Sequence, residues 1–371
     1  MRRAIAQELV APGSGAALDL EVFRSEGDRI VEGVLREPDG VWHPIIDGLP
    51  IFRSEALQPD LTEFAAAHGL SYSPPPADTT GQAETNTTFS DKWRRFTTYG
   101  WVPQHWDFHA QWFVKKLGLE NTDELTKFYS QFDRVLECGT GSGFNLNFIT
   151  KYARGEVFGL DISDAAVTSH NNLRDLPNLS MVRADLFHAP FEDNSFDFVM
   201  ADGVLHHTPS TRGAVEALYK KVKPGGQFFF YIYKRMGAAR YFVDQHVREA
   251  FTKLTPDECY EACRAITELG RELSKIDTKI NLEHAIPALG LPAGEHNVQR
   301  FVYYGFMKCF WNDAFDFETN NMINYDWYHP HHAWQHTEEE VSVWLTDLGV
   351  KTFNIYDANP NGLSVLVTKP L

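Results

Sequence analysis

The middle of this 371-residue chain predicts an α/β fold in which a parallel sheet carries helices on both faces. Three observations predict it. Residues 133 to 233 alternate strand-like apolar runs with helix-like stretches, the rhythm of β-α-β units. The first run, RVLECG, leads into the glycine-rich loop GTGSG and then into a helix. The runs also finish on acids, with Glu137, Asp161, Asp185 and Asp202 at or near their carboxyl ends. In an open α/β sheet, ligands bind at those strand ends.

The remaining elements follow along the chain. Residues 1–55 read as a small β-rich unit closing on HPIIDGLPIF, with turn chemistry at Asp47-Gly48 and a proline at position 50. Residues 56–88 read as a linker or extended arm, because SYSPPPADTTGQAETNTT has no apolar period. Residues 89–234 hold the aromatic lead-in FSDKWRRFTTYGWVPQHWDFHAQWF and the core strands RVLECG, EVFGLD, LSMVRAD, FDFVMAD and GQFFFYIY. Residues 235–336 break the rhythm. RYFVDQHVREAFTKL and PDECYEACRAITELGRELSKI carry apolar residues at helical spacing, so a mostly helical insertion is expected after the fifth strand. Residues 337–371 supply a last amphipathic helix, EEEVSVWLTDLG, opened by a capping box of Thr337 and Glu340. KTFNIYD and GLSVLVTK then close the sheet as an antiparallel pair, making seven strands.

Composition narrows the function. The chain is 43% hydrophobic and 23% charged, as soluble globular proteins are. No apolar run approaches the ~18 residues of a membrane helix, and Gln7 and Glu8 interrupt any export signal. Four scattered cysteines form no disulfide framework, so a reducing cytoplasmic location is expected. A net charge of −16 argues against a nucleic-acid backbone as partner. A small-molecule acceptor fits better, with no membrane contact; a homodimer is compatible with the sequence.

The glycine loop is the most specific local signal. Glycines are needed where the backbone turns sharply and a ligand must approach the main chain. Asp161 stands at the distance beyond Glu137 where a Rossmann-like fold places an acid to accept bonds from ribose hydroxyls. With these residues in view, the stretch from Arg134 to Tyr233 resembles a class I S-adenosylmethionine-dependent methyltransferase of the small-molecule type. The resemblance is carried by VLECGTGSG, LDIS, ADLFHAPFEDNSFDFV, GVLHHTP and KPGG, in that order. It implies a doubly wound seven-stranded methyltransferase sheet with S-adenosylmethionine as cofactor. It implies that Gly139, Gly141 and Gly143 line the methionine part, with Glu137 nearby. Asp161 and Ile162 would hold the ribose, Asp185 and the Leu186 backbone the adenine, while Asp202 and Gly203 flank the sulfonium. Glu137 stands where the family usually has aspartate. For Asp161 and Asp185, a turn or helix cap is the structural alternative.

The first fifty residues also resemble, more loosely, a small zinc-ribbon domain that accompanies several methyltransferases. The match is HPIIDGLPIF, and the metal positions would be Ala11, Ser14, Arg36 and Asp39. No cysteine remains there, so the fold is expected without its metal.

Methyl transfer from a sulfonium is an in-line displacement that asks the protein mainly to position the acceptor and remove its proton. His206 and His207, in the turn after the fourth strand, are the base candidates. Tyr231 and Tyr233 line the acceptor pocket or simply pack. Trp93, Tyr99, Trp101 and Trp106 are pocket or lid candidates, with a hydrophobic docking face as the alternative. Cys259 and Cys263 share a helix face and read as buried cysteines. WYHPHHAWQH, residues 327–336, reads as a loop walling the acceptor side through Trp334 and His336. The leading expectation is therefore methyl transfer to an O, N or S acceptor without metal. A cofactor-binding pseudo-enzyme or interaction module is one alternative. The other is a metal-assisted transferase using the 329–336 histidines.

Overall fold

The computed structural model describes residues 1–101 and 103–371, without the side chains of residues 103–105, 357 and 359. Its centre is a seven-stranded sheet. The strands are β1 (Arg134–Cys138), β2 (Glu156–Asp161), β3 (Leu179–Arg183), β4 (Phe196–Asp202), β5 (Val222–Tyr233), β6 (Thr352–Asn359) and β7 (Gly362–Thr368). Their order across the sheet is β6-β7-β5-β4-β1-β2-β3. β1 to β5 are mutually parallel, and β7 joins β5 and β6 antiparallel. This is the parallel sheet expected from the strand rhythm, in the Rossmann-like, seven-stranded form that the resemblance implies. Strand order reverses between β1 and β4, which is where such a sheet opens a crevice.

The strands read as nearly continuous apolar runs because both faces are covered. One face packs Leu136, Phe158, Val199 and Phe228 against the 211–221 and 338–347 helices and the N-terminal unit. The other packs Val135, Val157, Phe198 and Phe229 against the helices Pro103–Lys116, Thr122–Ser130 and Phe144–Tyr152. The closing helix starts as predicted. Thr337 Oγ1 accepts the Glu340 amide at 3.2 Å, and Glu340 Oε2 accepts the Thr337 amide at 3.1 Å. Thr337→Ala is expected to cost about 1 kcal/mol, read as a lower urea midpoint at unchanged slope. No shift of the midpoint would show that the cap adds nothing to the folded chain.

The N-terminal unit is a four-stranded antiparallel sheet, Asp19–Glu26, Arg29–Arg36, Trp42–Ile46 and Leu49–Pro50. It reaches the edge of the central sheet, where the Phe52 amide donates to the Arg183 carbonyl of β3 at 2.8 Å. The stretch read as a linker is only partly one. A helix runs from Gln82 to Arg95, starting inside it. Its buried side includes Thr85 and Thr88, and the Thr88 hydroxyl meets His329 Nδ1 at 2.8 Å. Burial of threonines rather than aliphatics is why no apolar period betrayed it. The insertion is mostly helical, with Ala238–Phe251, Pro256–Ser274, Val298–Gly305 and Phe317–Tyr328, plus a hairpin of Lys279–Leu282 and Gly294–Asn297. Among the described residues no helix is long and apolar enough to cross a membrane.

Candidate active site

A cavity of about 680 Å³ opens at the carboxyl ends of the parallel strands. The sheet loops form its floor, and the lead-in helices and the insertion wall it above. The glycine loop is built for close approach. Gly139 and Gly141 sit at φ 77° and 56°, in the left-handed region that side chains resist. A Cβ on Gly139 would lie 2.1 Å from Val204, and one on Gly141 would lie 2.7 Å from the Trp93 ring. The bare backbone therefore faces the cavity. Gly143 instead caps the 144–152 helix against Leu173, off the cavity wall.

Asp161 ends β2 on the wall. Its Oδ1 accepts the Ser163 amide at 2.8 Å and the Ser163 hydroxyl at 2.7 Å. Burial raises its pKa, and the Ser163 bonds oppose that rise. Ile162 lines the cavity beside it. Asp185 also lines the cavity, but its Oδ1 already accepts the Phe187 amide at 2.9 Å, capping the turn Leu186–His188. The capping alternative is thus realised on one oxygen. Asp202 and Gly203 are on the wall as well, and Asp202 Oδ1 lies 2.5 Å from the buried Lys116 ammonium.

Glu137 departs from expectation. Its carboxyl is fully buried off the cavity wall, and neither oxygen finds a hydrogen-bond partner among the described residues. Burial pushes its pKa well above the ordinary carboxylate value; the nearby Asn145 side chain opposes that rise, and the charges of Asp202 and Asp161 add to it. A carboxylate cannot stay charged cheaply in such a place, so the protonated form is favoured.

The two histidines separate cleanly. His207 lines the cavity, and its Nδ1 lies 2.7 Å from the His332 carbonyl. A carbonyl only accepts, so the proton is on Nδ1 and Nε2 keeps its lone pair. Burial lowers its pKa to about 3. His206 lies behind, off the wall, tilted against Tyr233 at 3.7 Å between ring centres and with neither nitrogen bonded among the described residues. Adjacent residues in a short turn point to different sides, so only one of the pair reaches the cavity.

Tyr231, Tyr233, Trp93 and Tyr99 all line the cavity. Trp101 and Trp106 do not. Trp101 Nε1 donates to the Ser142 carbonyl at 3.3 Å, and Trp106 packs on Phe144 and Phe148. The histidine-rich loop is not a cavity wall either. Trp334 is 47% exposed and donates Nε1 to the Thr208 carbonyl at 2.9 Å. His336 bonds Thr211 Oγ1 at 2.8 Å and Glu340 at 3.3 Å, so it serves the start of the last helix. His329 uses both ring nitrogens, on Thr88 and on the Leu254 carbonyl, and His332 Nε2 meets the Thr80 carbonyl at 2.9 Å. These rings fasten the loop to the lead-in helix and the insertion. Among the described residues no group of three His, Cys, Asp or Glu is placed to hold a metal.

Sequence reasoning missed the upper wall. Lys116, Lys92 and Arg300 line the cavity, with Lys92 paired to Asp326 at 2.6 Å, and so do Tyr303, Tyr304 and Phe310. No motif marks them. The one available signal is their place in the aromatic lead-in and the insertion, the segments expected to close over the site.

Residues 136–230 match the family described as methyltransferase domain, about a quarter of the chain. The sterol 24-C-methyltransferase erg6 of Schizosaccharomyces pombe is 31% identical over 144 residues, covering 36% of this chain and 37% of that protein. The cycloartenol-C-24-methyltransferase of Arabidopsis thaliana is 29% identical over 150 residues, 37% of this chain and 43% of that one. Among solved structures, the DhpI-SAM-HEP complex superposes with a TM-score of 0.42 at 14% identity, covering 78% of this chain and 99% of that chain. The chain spans less than half the length of these two curated relatives. The part of the chain that is similar to a methyltransferase domain is thus the part that carries the glycine loop, Asp161, Asp185, Asp202 and His207.

Proposed function

We propose that this protein is an S-adenosylmethionine-dependent methyltransferase whose acceptor is a small molecule held between the sheet and the insertion. The observation that carries the reading is convergence. One cavity holds a bare glycine backbone, an acid at the end of β2, a second at the end of β3, and an aromatic upper wall. The residues present fit the cofactor. Gly139 and Gly141 leave room along the main chain, Asp161 would accept from ribose hydroxyls, and Asp185 with Leu186 would face the adenine. Asp202, neutralised by Lys116, borders the reacting end. When bound, the cofactor supplies an activated methyl group. The chain's own residues then bind and orient the acceptor and keep water out.

The acceptor atom was expected to be O, N or S. The sterol- and cycloartenol-methylating relatives act at carbon by their names, and an aromatic wall suits an apolar acceptor body, so carbon joins the candidates. In the N-terminal unit, we read a ribbon-like module that has exchanged metal for side-chain contacts. Arg36 bonds Glu21 at 3.1 Å and Asp39 accepts the Val41 amide at 3.1 Å, where ligands would stand.

His207 is the group that meets the acceptor. Its neutral Nε2 takes a hydrogen bond from the acceptor or receives its proton. His207→Ala is expected to lower kcat about 100-fold, with affinity for S-adenosylhomocysteine unchanged. With the folded pKa depressed to about 3, the native ring stays neutral where the unfolded ring, at 6.5, takes a proton. Stability from this ring is therefore full above pH 6.5 and declines as pH falls toward 3. The rate should show no acid limb from His207 between about pH 5 and 8. A limb near 6.5 that vanishes in His207→Ala would place this ring in water instead.

The function itself is tested by calorimetry with S-adenosylhomocysteine, followed by labelled-methyl transfer into pools of metabolites. No cofactor binding would sink the proposal. Binding with no transfer to any pool would favour a cofactor-binding module.

A further inference from the structure

We propose that the acceptor is an organic acid, its carboxylate seated on the Arg300 guanidinium and its apolar body among the cavity's aromatic rings. This rests on the methyltransferase reading and names the substrate class of that same cavity.

The charges on the cavity wall are unevenly matched. The sheet side is acidic, with Asp161, Asp185 and Asp202. Asp202 is neutralised by Lys116 at 2.5 Å, and Asp326 on the insertion side by Lys92 at 2.6 Å. Arg300 is different. It lines the same cavity and makes no ion pair with any described carboxylate. Its Nη2 donates to the Trp311 carbonyl at 3.3 Å, and the guanidinium lies 5.3 Å from the Tyr303 ring centre and 5.7 Å from that of Phe310. A guanidinium has five N–H donors in a planar fork, and most of these remain available. Flanked on one side by these two neighbouring rings, the fork can bind a planar oxyanion through two parallel bonds.

Position adds direction. Asp161 and Asp185 on the sheet side repel an anion there, so a carboxylate is drawn to the insertion wall. Its apolar body then meets Tyr303, Tyr304 and Phe310 on one side and Phe89, Trp93 and Tyr233 on the other. In a molecule of net charge −16, a cation inside a cavity with no carboxylate partner among the described residues is a local exception. It gives an anion one place to enter. A cationic acceptor would meet Arg300 with like charge.

The test uses the full chain and three probes of graded length: phenylacetate, 4-phenylbutyrate and 6-phenylhexanoate, each against its neutral amide. Affinity for S-adenosylhomocysteine is measured first by calorimetry, on wild type, Arg300→Gln and Arg300→Lys. Absence of that binding sinks the methyltransferase reading and this inference with it. With the cofactor product bound, at least one acid should bind about tenfold or more tighter than its amide. Arg300→Gln should erase the preference while keeping wild-type affinity for S-adenosylhomocysteine, and Arg300→Lys should keep part of it. If acids and amides bind alike, if no acid binds, or if the preference survives in Arg300→Gln, this inference is overturned while the methyltransferase reading stands.

Discussion

Replacing Asp244 with alanine is expected to destabilise the protein by about 3–5 kcal/mol, the largest single-residue effect on stability foreseen for this fold. The carboxylate is fully buried and receives four donors. Arg240 Nε reaches Oδ2 at 2.8 Å and Trp327 Nε1 at 3.0 Å, while the Tyr328 hydroxyl and the Lys308 amide reach Oδ1 at 3.0 and 2.8 Å. Arg240 is also fully buried. Alanine would leave a guanidinium in the interior with no counter-charge among the described residues and the Trp327 Nε1 and Lys308 amide donors unsatisfied, while the Tyr328 hydroxyl keeps the Lys308 carbonyl at 2.8 Å. The cost comes from those abandoned groups rather than from the worth of the pair. Asp244→Asn, which keeps an acceptor but not the charge, should fall between. Urea unfolding followed by tryptophan fluorescence measures both. A loss under 1 kcal/mol in the alanine variant would show that the network does not hold the insertion together.

That network matters because of what it supports. Asp244 lies on the first insertion helix, Lys308 follows the third, and Trp327 and Tyr328 end the last. Arg240 donates to the Tyr303 carbonyl, and Arg248 donates to the carbonyls of Trp327 and Pro330, each at 2.6 Å. The cavity's upper wall is thus fixed by polar side chains buried where aliphatics would be expected. This is also why the wall was illegible beforehand. The central sheet could be read because its strands are apolar on both faces and punctuated by glycine and aspartate. Asp161, Asp185, Asp202 and His207 could be placed because each sits at a strand end. The insertion buries Arg240, Asp244, Arg248, Asn320, Asn321 and Asn324, residues that pattern reading assigns to solvent. The lead-in helix hides in the same way behind Thr85 and Thr88. The histidine loop misled for the opposite reason. Its residue types suggested chemistry, yet the rings of His329, His332 and His336 bond to fixed protein groups.

Asp161→Ala is expected to weaken S-adenosylhomocysteine binding by about 10²–10⁴-fold. Two charge-assisted hydrogen bonds to ribose hydroxyls would be worth about 1.5–3 kcal/mol each. Asn at this position keeps one acceptor oxygen and loses the charge, so an intermediate loss is expected. The acid is placed by its own surroundings: Ser163 holds Oδ1 through both its amide and its hydroxyl. A bound ribose would therefore meet a carboxylate already oriented, with no side-chain ordering left to offset the gain. Acid adds a second reading of the same group. Burial raises the Asp161 pKa, so the charged form that binds ribose begins to fail at a higher pH than for an ordinary aspartate. Cofactor affinity should fall on acidification from that raised pKa, and the dependence should vanish in Asp161→Asn. Asp185→Ala separates this site from its neighbour, because Asp185 engages both oxygens, Oδ1 on the Phe187 amide and Oδ2 on His188 Nδ1 at 3.4 Å, and has less to lose. Near wild-type affinity in Asp161→Ala, in a protein whose melting curve is unchanged, would mean that the acid at the end of β2 shapes its turn and holds no cofactor.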